Sequence, residues 1–458
     1  MNLPNYFLAD LPPEADVTPE LLTEACQNLK RNRDEYLARR STESLLEVFH
    51  ELGQSWLNPA FPFRQKALEF GPAATGFSRA TLAAGIDRFF AELTGGKLHD
   101  LIAQDLGHEQ RLDDLVANTL ERKSSRLGLV RGPNLIAHIC AGNIPSPALR
   151  SIVLGFLVRS AQVVKCASGA TLLPRLFAHS IYEIEPKLGA CLEIAEWPGG
   201  RAPLETALFR EADCVTATGA DETLAAIKSR LPIRVRFLGY GHRLSFGYVT
   251  QEVLSQIKLA SVAAHAAADV AAWNQLGCLS PHVIYVECGG RASPEQFAEA
   301  LAIELARRET IEPRGPVTVE TAAAIATRRA FYEVRAAHGP ETRCWFSKES
   351  TAWSVVYEAD PRFQRSCLHR FVYVKSVANL KEALQAADDI RAKVSTVGLA
   401  APESRALEIA RELAGWGVTR VCPLGQMQNP SLSWRHDGRP SLADLVTWTD
   451  WEHEIYAS

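Results

Sequence analysis

LIAHICAGNIPSP, residues 135–147, runs from a block of apolar and β-branched side chains into a turn and then a helix start. LIAHIC reads as a strand. Gly142 frees the backbone to turn, and Pro145 suits the first turn of a helix. The same order recurs downstream. AQVVKCA (161–167) leads into LLPRLFAHSIYEIEP, CLEIAEW (191–197) into PLETALFREA, and CVTATG (214–219) into ADETLAAIKSRL, before RVRFLGYG (234–241) closes the series. Short strands alternating with helices predict a parallel sheet covered on both faces. Right-handed crossovers make that sheet a doubly wound, Rossmann-like layer.

Upstream, residues 1–120 read as mainly helical. TPELLTEACQNLKRNRDEYLARR and STESLLEVFHELGQSWL carry apolar residues at three- and four-residue spacing, with Thr18 and Ser41 at the starts. Downstream, a helix over 251–269 leads to NQLGCLSPHVIYVE (274–287). Two long helices follow, then strands RCWFSKES, AWSVVYEA and RFVYVKSV, helix LKEALQAADDI, strand VSTVGLAA, helix SRALEIARELAGWG and strand TRVCPLG. This predicts a second α/β unit. The Trp-rich ending, SWRHDGRPSLADLVTWTDWE, reads as a packed arm or tail.

The 458 residues predict two or three domains. Hydrophobic residues make up 47% and charged residues 22%, as in an ordinary soluble globular protein. The net charge of -4 and the lack of a basic cluster interleaved with aromatics argue against a nucleic-acid partner. MNLPNYFLADLPPEAD is acidic and lacks the plan of a signal peptide, and no apolar stretch is long enough to span a bilayer. The expected location is cytoplasmic. Ten scattered cysteines form neither a CxxC pair nor a ligand-spaced cluster with histidine, so neither zinc nor a disulfide framework is expected. Most should be small core residues.

Ligands of open α/β sheets sit beyond the carboxyl ends of the strands, so the strand tips are the candidate sites. Asn143, in Cys140-Ala141-Gly142-Asn143, is either an ordinary turn residue or a neutral donor held at the tip. Lys165 is unusual in an apolar strand; it either reaches a phosphate or ribose, or snorkels from a solvated edge. Gly199 and Gly200 make a turn or a close-approach site. Thr218, Gly219 and Ala220 lead into a helix whose N-terminus would favour an anion. There is no GxGxxG fingerprint and no phosphate-binding GxxxxGK[ST] loop.

Cys278 lies between a helix and a strand, beside Gly277 and Ser280-Pro281. Burial is the default for a thiol. A turn position makes a nucleophile possible, with the Cys278 amide and a side chain such as Asn143 as donors to an oxyanion. His242 and His282 are read first as structural residues.

CAGNIPSP, VVKCASG, WPGG with TATGAD, NQLGCLSPHVIYVE and PLGQMQNPSLSWRHDG together resemble the aldehyde dehydrogenase superfamily, and more narrowly its acyl-CoA reductases of the LuxC type. The resemblance runs from about residue 125 to the end. It implies that Cys278 is the catalytic thiol and that Asn143 stabilises the oxyanion. It implies that Lys165 contacts the adenine ribose, and that Thr218, Gly219 and Ala220 form the turn near the pyrophosphate, with Ala for the usual Ser. Cys140, Ala141, Gly142, Ser168, Gly199 and Gly200 join the expected cofactor-binding set. The implied organisation is a helical part (1–120) packed on a cofactor domain (121–250, with a bridging hairpin near 121–138 that takes in a C-terminal strand), a catalytic domain (251–430) and an oligomerisation arm (431–458).

Three departures shape the expected reaction. Ser168 replaces a Glu that holds the ribose hydroxyls, which favours NADPH and leaves NADH possible. Phe237, in RFLGYG, stands where the general-base Glu of hydrolytic relatives is expected. SCLHRFVYV offers no clear counterpart to a second cofactor-binding Glu. The resemblance therefore implies NADPH-dependent reduction of an acyl-CoA, or another acyl thioester, to an aldehyde through an acyl-Cys278 intermediate. The alternatives are an NAD(P)-dependent aldehyde dehydrogenase making acids, and a non-catalytic cofactor-binding subunit. It also implies a homodimer or higher assembly, with an acyl-activating or acyl-transferring enzyme as a possible partner.

Overall fold

The computed structural model of the protein describes residues 3–12, 14–254 and 256–452. The chain forms two compact units: residues 1–75, 86–241 and 431–458 make one, and residues 76–85 and 242–430 the other.

In the first unit the N-terminal helices begin where the sequence places caps. Thr18 Oγ1 accepts from the Leu21 amide ahead of helix Pro19–Asn32, and Ser41 Oγ accepts from the Ser44 amide ahead of helix Thr42–Leu57. Strand β1 (Arg126–Arg131) comes next, followed by β2 (Leu135–Ile139), β3 (Ala161–Cys166), β4 (Leu192–Glu196), β5 (Cys214–Thr218) and β6 (Arg236–Tyr240). Strands β2 to β6 form a parallel sheet in the order β4-β3-β2-β5-β6. The chain winds outward from β2 to β4 and then returns to add β5 and β6, so the switch point lies between β2 and β5. Leu22, Cys26 and Leu29 of the first helix share a core with Ala137, Val163 and Val215 of the sheet. Polar side chains buried in the sheet pair with one another: His138 bonds Thr216 at 2.7 Å and Gln162 at 3.0 Å, and Gln162 donates to the Ile152 carbonyl.

The second unit holds β7 (Leu244–Val249), β8 (Pro281–Glu287), β9 (Thr342–Phe346), β10 (Ser354–Glu358), β11 (Phe371–Val377), β12 (Val394–Ala400) and β13 (Arg420–Pro423). Their order is β13-β12-β7-β8-β11-β10-β9, parallel except that β9 runs antiparallel to β10. Central β8 is buried along its whole length. Ile284 and Val286 enter one core, while Val283 and Tyr285 enter the other, the alternation that a strand covered on both faces requires.

The structure differs from the sequence expectations in several places. The division falls at residue 242 rather than 251, because LSFGYV is β7, a fully buried strand of the second sheet. Residues 76–85 group with the second unit, where Phe77 and Gly85 pack on Trp273. The expected 251–269 helix is a short 3-10 turn at Gln251–Val253 followed by helix Gln256–Ala271; residue 255 lies outside the described residues.

No hairpin forms over 121–138. β1 instead pairs antiparallel with β14 (Thr447–Glu452), in register from Arg126↔Glu452 to Arg131↔Thr447. Leu135 to Ile139 cannot serve as the second arm of a surface hairpin, because four of its five residues are buried between β3 and β5. Nor is the end of the chain a packed arm throughout. Every residue of β14 is exposed, Trp448 and Trp451 included. Residues 453–458 of that expected arm lie outside the described residues.

Candidate functional site: the strand tips and the Cys278 turn

The five parallel strands of the first unit end on one edge of their sheet, and the predicted cofactor residues stand there. At the β2 tip the Cys140 amide donates to the Lys165 carbonyl at 3.0 Å. A Cβ at Gly142 would lie 3.1 Å from Ala167 Cβ and 3.4 Å from Ala170 Cβ, so a side chain here would crowd the facing loop. Asn143 follows, exposed. Lys165 is 6% exposed on β3, flanked by β2 and β4; this excludes the snorkelling reading on a solvated edge. Its Nζ lies 6.0 Å from the Trp197 ring centroid. Burial lowers its pKa, opposed by the charges of Glu205 and Glu196.

Ser168 is exposed at the tip of β3. Glu196, which the sequence reading missed, braces the same loop: it accepts from the Gly169 amide and from Thr171 Oγ1, both at 2.9 Å. Its signal was available, as a carboxylate at a buried strand's end. Gly199 and Gly200 form an exposed turn after β4, with the Gly200 amide on Glu205. The Gly219 amide donates to the Tyr240 carbonyl at 3.2 Å. Ala220 is the N-cap of helix Asp221–Arg230, and its first turn holds Asp221 and Glu222. These acids already complement the helix dipole that the sequence reading offered to an anion.

At β6, Phe237 is half-buried against the sheet core, and RFLGY holds no carboxylate. Tyr240 at its end stacks on His436, 4.5 Å between centroids, and Arg439 lies 4.6 Å over the Tyr240 ring. Sequence could not pair residues so far apart.

In the second unit Cys278 is exposed on the turn before β8. Its carbonyl accepts from Ser245 Oγ at 2.8 Å, and Gln428 Nε2 donates to Ser280 Oγ at 2.6 Å. Among the ten cysteines, only Cys278 and Cys288 are exposed. Burial pushes the thiols of Cys26, Cys140, Cys191, Cys214 and Cys422 up to about 12, and that of Cys166 higher still. Such thiols are inert at neutral pH. The default of burial thus holds for Cys26, Cys166, Cys191 and Cys214, while Cys140 and Cys422 are half-buried and Cys278 is exposed. His282 keeps its structural reading: it is buried, its Nδ1 accepts from the Ser366 amide at 3.1 Å, and burial holds its pKa down at about 4. The SCLHRFVYV segment supplies no carboxylate; it contains Arg370, fully buried and bonded to Glu309.

Cys278 and Asn143 belong to different units. Among the described residues no group of three or more His, Cys, Asp or Glu could hold a metal, and no helix is long and apolar enough to cross a membrane.

A Rossmann-like sheet and a second α/β unit with an exposed turn thiol, in one chain, define the aldehyde dehydrogenase class of fold. Solved structures share it. The indole-3-acetaldehyde dehydrogenase of P. syringae, in complex with NAD+ and IAA, superposes with a TM-score of 0.70 at 15% identity, over 95% of this chain and 89% of that one. The glyceraldehyde-3-phosphate dehydrogenase of Methanocaldococcus jannaschii, complexed with NADP, gives 0.67 at 11% identity, over 95% of each chain. Within that class, the chain belongs to the acyl-CoA reductase (LuxC) family, whose model matches residues 37–448. Similar proteins include the long-chain acyl-protein thioester reductase of Aliivibrio fischeri, 24% identical over 421 residues (89% of this chain, 82% of that protein). The protein of the same name from Vibrio harveyi is 21% identical over 429 residues (91% and 84%).

Proposed function

We propose that the protein reduces an acyl thioester to an aldehyde through an acyl-Cys278 intermediate, using NADPH. The observation that carries this reading is the exposed thiol of Cys278 on a tied turn, in a chain where six other thiols are raised out of reactive range by burial. In the first step the Cys278 thiolate attacks the thioester carbonyl. Asn143 and the Cys278 amide donate to the oxyanion, which collapses by expelling the donor's thiolate and leaves the acyl group on Sγ. A reduced nicotinamide, when bound, supplies the hydride to the acyl carbon. The resulting thiohemiacetal oxyanion is again held by Asn143, and its collapse breaks the C–S bond, returns the Cys278 thiolate and frees the aldehyde. Thiolates are good leaving groups, so the acylation step demands no strong general base. Phe237, in place of a carboxylate, leaves no group on β6 to activate water, which favours reduction over hydrolysis to an acid.

The strand-tip residues suit a dinucleotide. Gly142 lets the loops after β2 and β3 come close, and both Lys165 and the exposed Ser168 belong to the carboxyl end of β3. Long-chain acyl groups, delivered on CoA or on an acyl-carrying protein, are the substrates the relatives' names suggest. The same reading places the protein in the cytoplasm, in a homodimer or higher assembly, with an acyl-transferring enzyme as donor.

The test is mass spectrometry of protein incubated with acyl-CoAs of several lengths and with acylated carrier protein, without reduced nicotinamide. An acyl adduct on the Cys278 peptide, absent in Cys278→Ala, is expected. If no thioester leaves an adduct, or if Cys278→Ala still makes aldehyde at the wild-type rate, the mechanism is wrong.

A further inference from the structure

The backbone leading to Cys278 takes an unusual path. Trp273, Asn274 and Gln275 all lie in the left-handed region, with φ of 50°, 51° and 64°. A second such triplet, Leu368, His369 and Arg370, has φ of 64°, 54° and 66° and leads directly into β11, the neighbour of β8. Six of the ten non-glycine residues with positive φ among the described residues therefore sit in these two turns. Residues other than Gly, Asn and Asp rarely adopt left-handed angles, and neither Trp nor Leu has the short polar side chain that offsets the strain by bonding the local backbone. Such conformations persist where the surroundings over-determine them.

Here the surroundings do. Arg370 Nη2 donates to Asn274 Oδ1 at 3.1 Å, joining one turn to the other. Asn274 Nδ2 donates to the Arg314 carbonyl at 2.6 Å. Gln275 Nε2 bridges the Pro281 carbonyl at the start of β8 (2.7 Å) and the Phe371 carbonyl at the start of β11 (2.9 Å). Arg370 Nη1 is held by Glu309 Oε2 at 2.9 Å and by the Glu312 carbonyl at 2.8 Å. Asn274 is 3% exposed, and Gln275 and Arg370 are fully buried. These bonds converge on the residues just before and just after the thiol's turn, while Cys278 itself stays exposed.

We infer that Asn274, Gln275 and Arg370 are positioning residues for the Cys278 thiol: the two stapled left-handed turns hold its loop in the one backbone state that presents Sγ. This rests on reading Cys278 as the nucleophile. The three residues never touch substrate; they act through the turn. A loop free to relax toward right-handed angles would move Sγ by an ångström or more, and such a displacement costs on the order of a hundredfold in rate.

Gln275→Met removes both bridging donors and keeps the side chain's length. The measurement is single-turnover acylation by acyl-CoA without reduced nicotinamide, paired with iodoacetamide labelling of Cys278 and Cys288, the other exposed thiol of the same unit. The acylation rate constant is expected to fall at least ~tenfold, with the half-saturating acyl-CoA concentration within about twofold of wild type. Labelling of Cys278 is expected to change while that of Cys288 holds. Unchanged acylation, or parallel changes at both thiols, overturns the inference, because a merely structural loss loosens the unit as a whole. Asn274→Gly, which keeps the left-handed backbone but cuts the bond to Arg370, decides by the same readouts if the first variant does not fold. Where wild-type protein takes no acyl group from any thioester, the proposed reaction fails, and the labelling ratio still tests the positioning.

Discussion

Ser168 is a hydroxyl where the resemblance predicts a carboxylate, and it stands exposed just after β3. A carboxylate there repels a 2′-phosphate, and a hydroxyl does not. Ser168→Glu is therefore expected to shift the ratio of kcat/KM for NADPH over NADH toward NADH by about tenfold or more, measured with one acyl-CoA. Asn143→Ala removes a donor that matters most when charge sits on the oxygen. Its kcat should drop by roughly 10²–10³ with little change in KM, and an equal loss in a ground-state binding assay would contradict that role. Both positions stand out in the sequence because each follows a strand and a turn that announce themselves, and both are exposed after those strands. Gln275 and Arg370 do not stand out, since their meaning lies in bonds to Phe371 and Asn274 about a hundred residues away.

The strand–turn–helix units of β2 to β6 were legible one by one, because their apolar runs are separated by helices with clear starts. β7 was missed because LSFGYV follows β6 with only a few residues between, so the series closes at RVRFLGYG and the next strand, of a different sheet, goes unread. The short segment 76–85 reads as helical, and helix Arg79–Ala91 runs through it, but nothing in it signals that it groups with the second unit. Its function is packing: a Cβ at Gly85 would fall 2.1 Å from Trp273 Cζ2, and Phe77 meets the same indole edge-on at 5.2 Å. Gly85→Ala must push Trp273, the first residue of the left-handed turn. Overpacking of this kind costs about 1–3 kcal/mol, so thermal unfolding should begin several degrees lower. Acylation of Cys278 should slow as well, whereas an alanine at exposed Gly415, which meets nothing within 4 Å, should slow nothing.

Across the protein, buried ionisable groups set opposing demands on pH. His138 and His282 are held by burial at about 4, below the ordinary 6.5. Between those values the unfolded chain binds protons that the folded chain refuses, so each histidine lowers stability as pH falls through that window, by about 1.4 kcal/mol per unit at most. Glu193 and Asp269 act the other way. Burial raises them to about 8 and about 7, so the stability they contribute is present in acid and is lost as pH rises through those values. The two pairs nearly cancel from about 4.5 to 6.5. Above that the carboxyls dominate, and stability should decline toward pH 8. Glu193→Gln keeps an acceptor for the Leu8 amide and removes the charge. Its melting temperature relative to wild type should rise between pH 5 and pH 8; a difference flat with pH would show that Glu193 is not the group responsible.

The ribbon of β1 and β14 also has a consequence in time. The inner strands of the first sheet lie within residues 135–240, but β1 finds its partner only about 300 residues later. Its Gly128 is bridged locally to Val116 on one side; the other edge must wait for β14. At ~5–20 residues per second of synthesis, that edge stays open for tens of seconds while the whole second unit emerges from the ribosome. A nascent chain stalled before residue 447 would carry an unpaired strand able to recruit a stranger's.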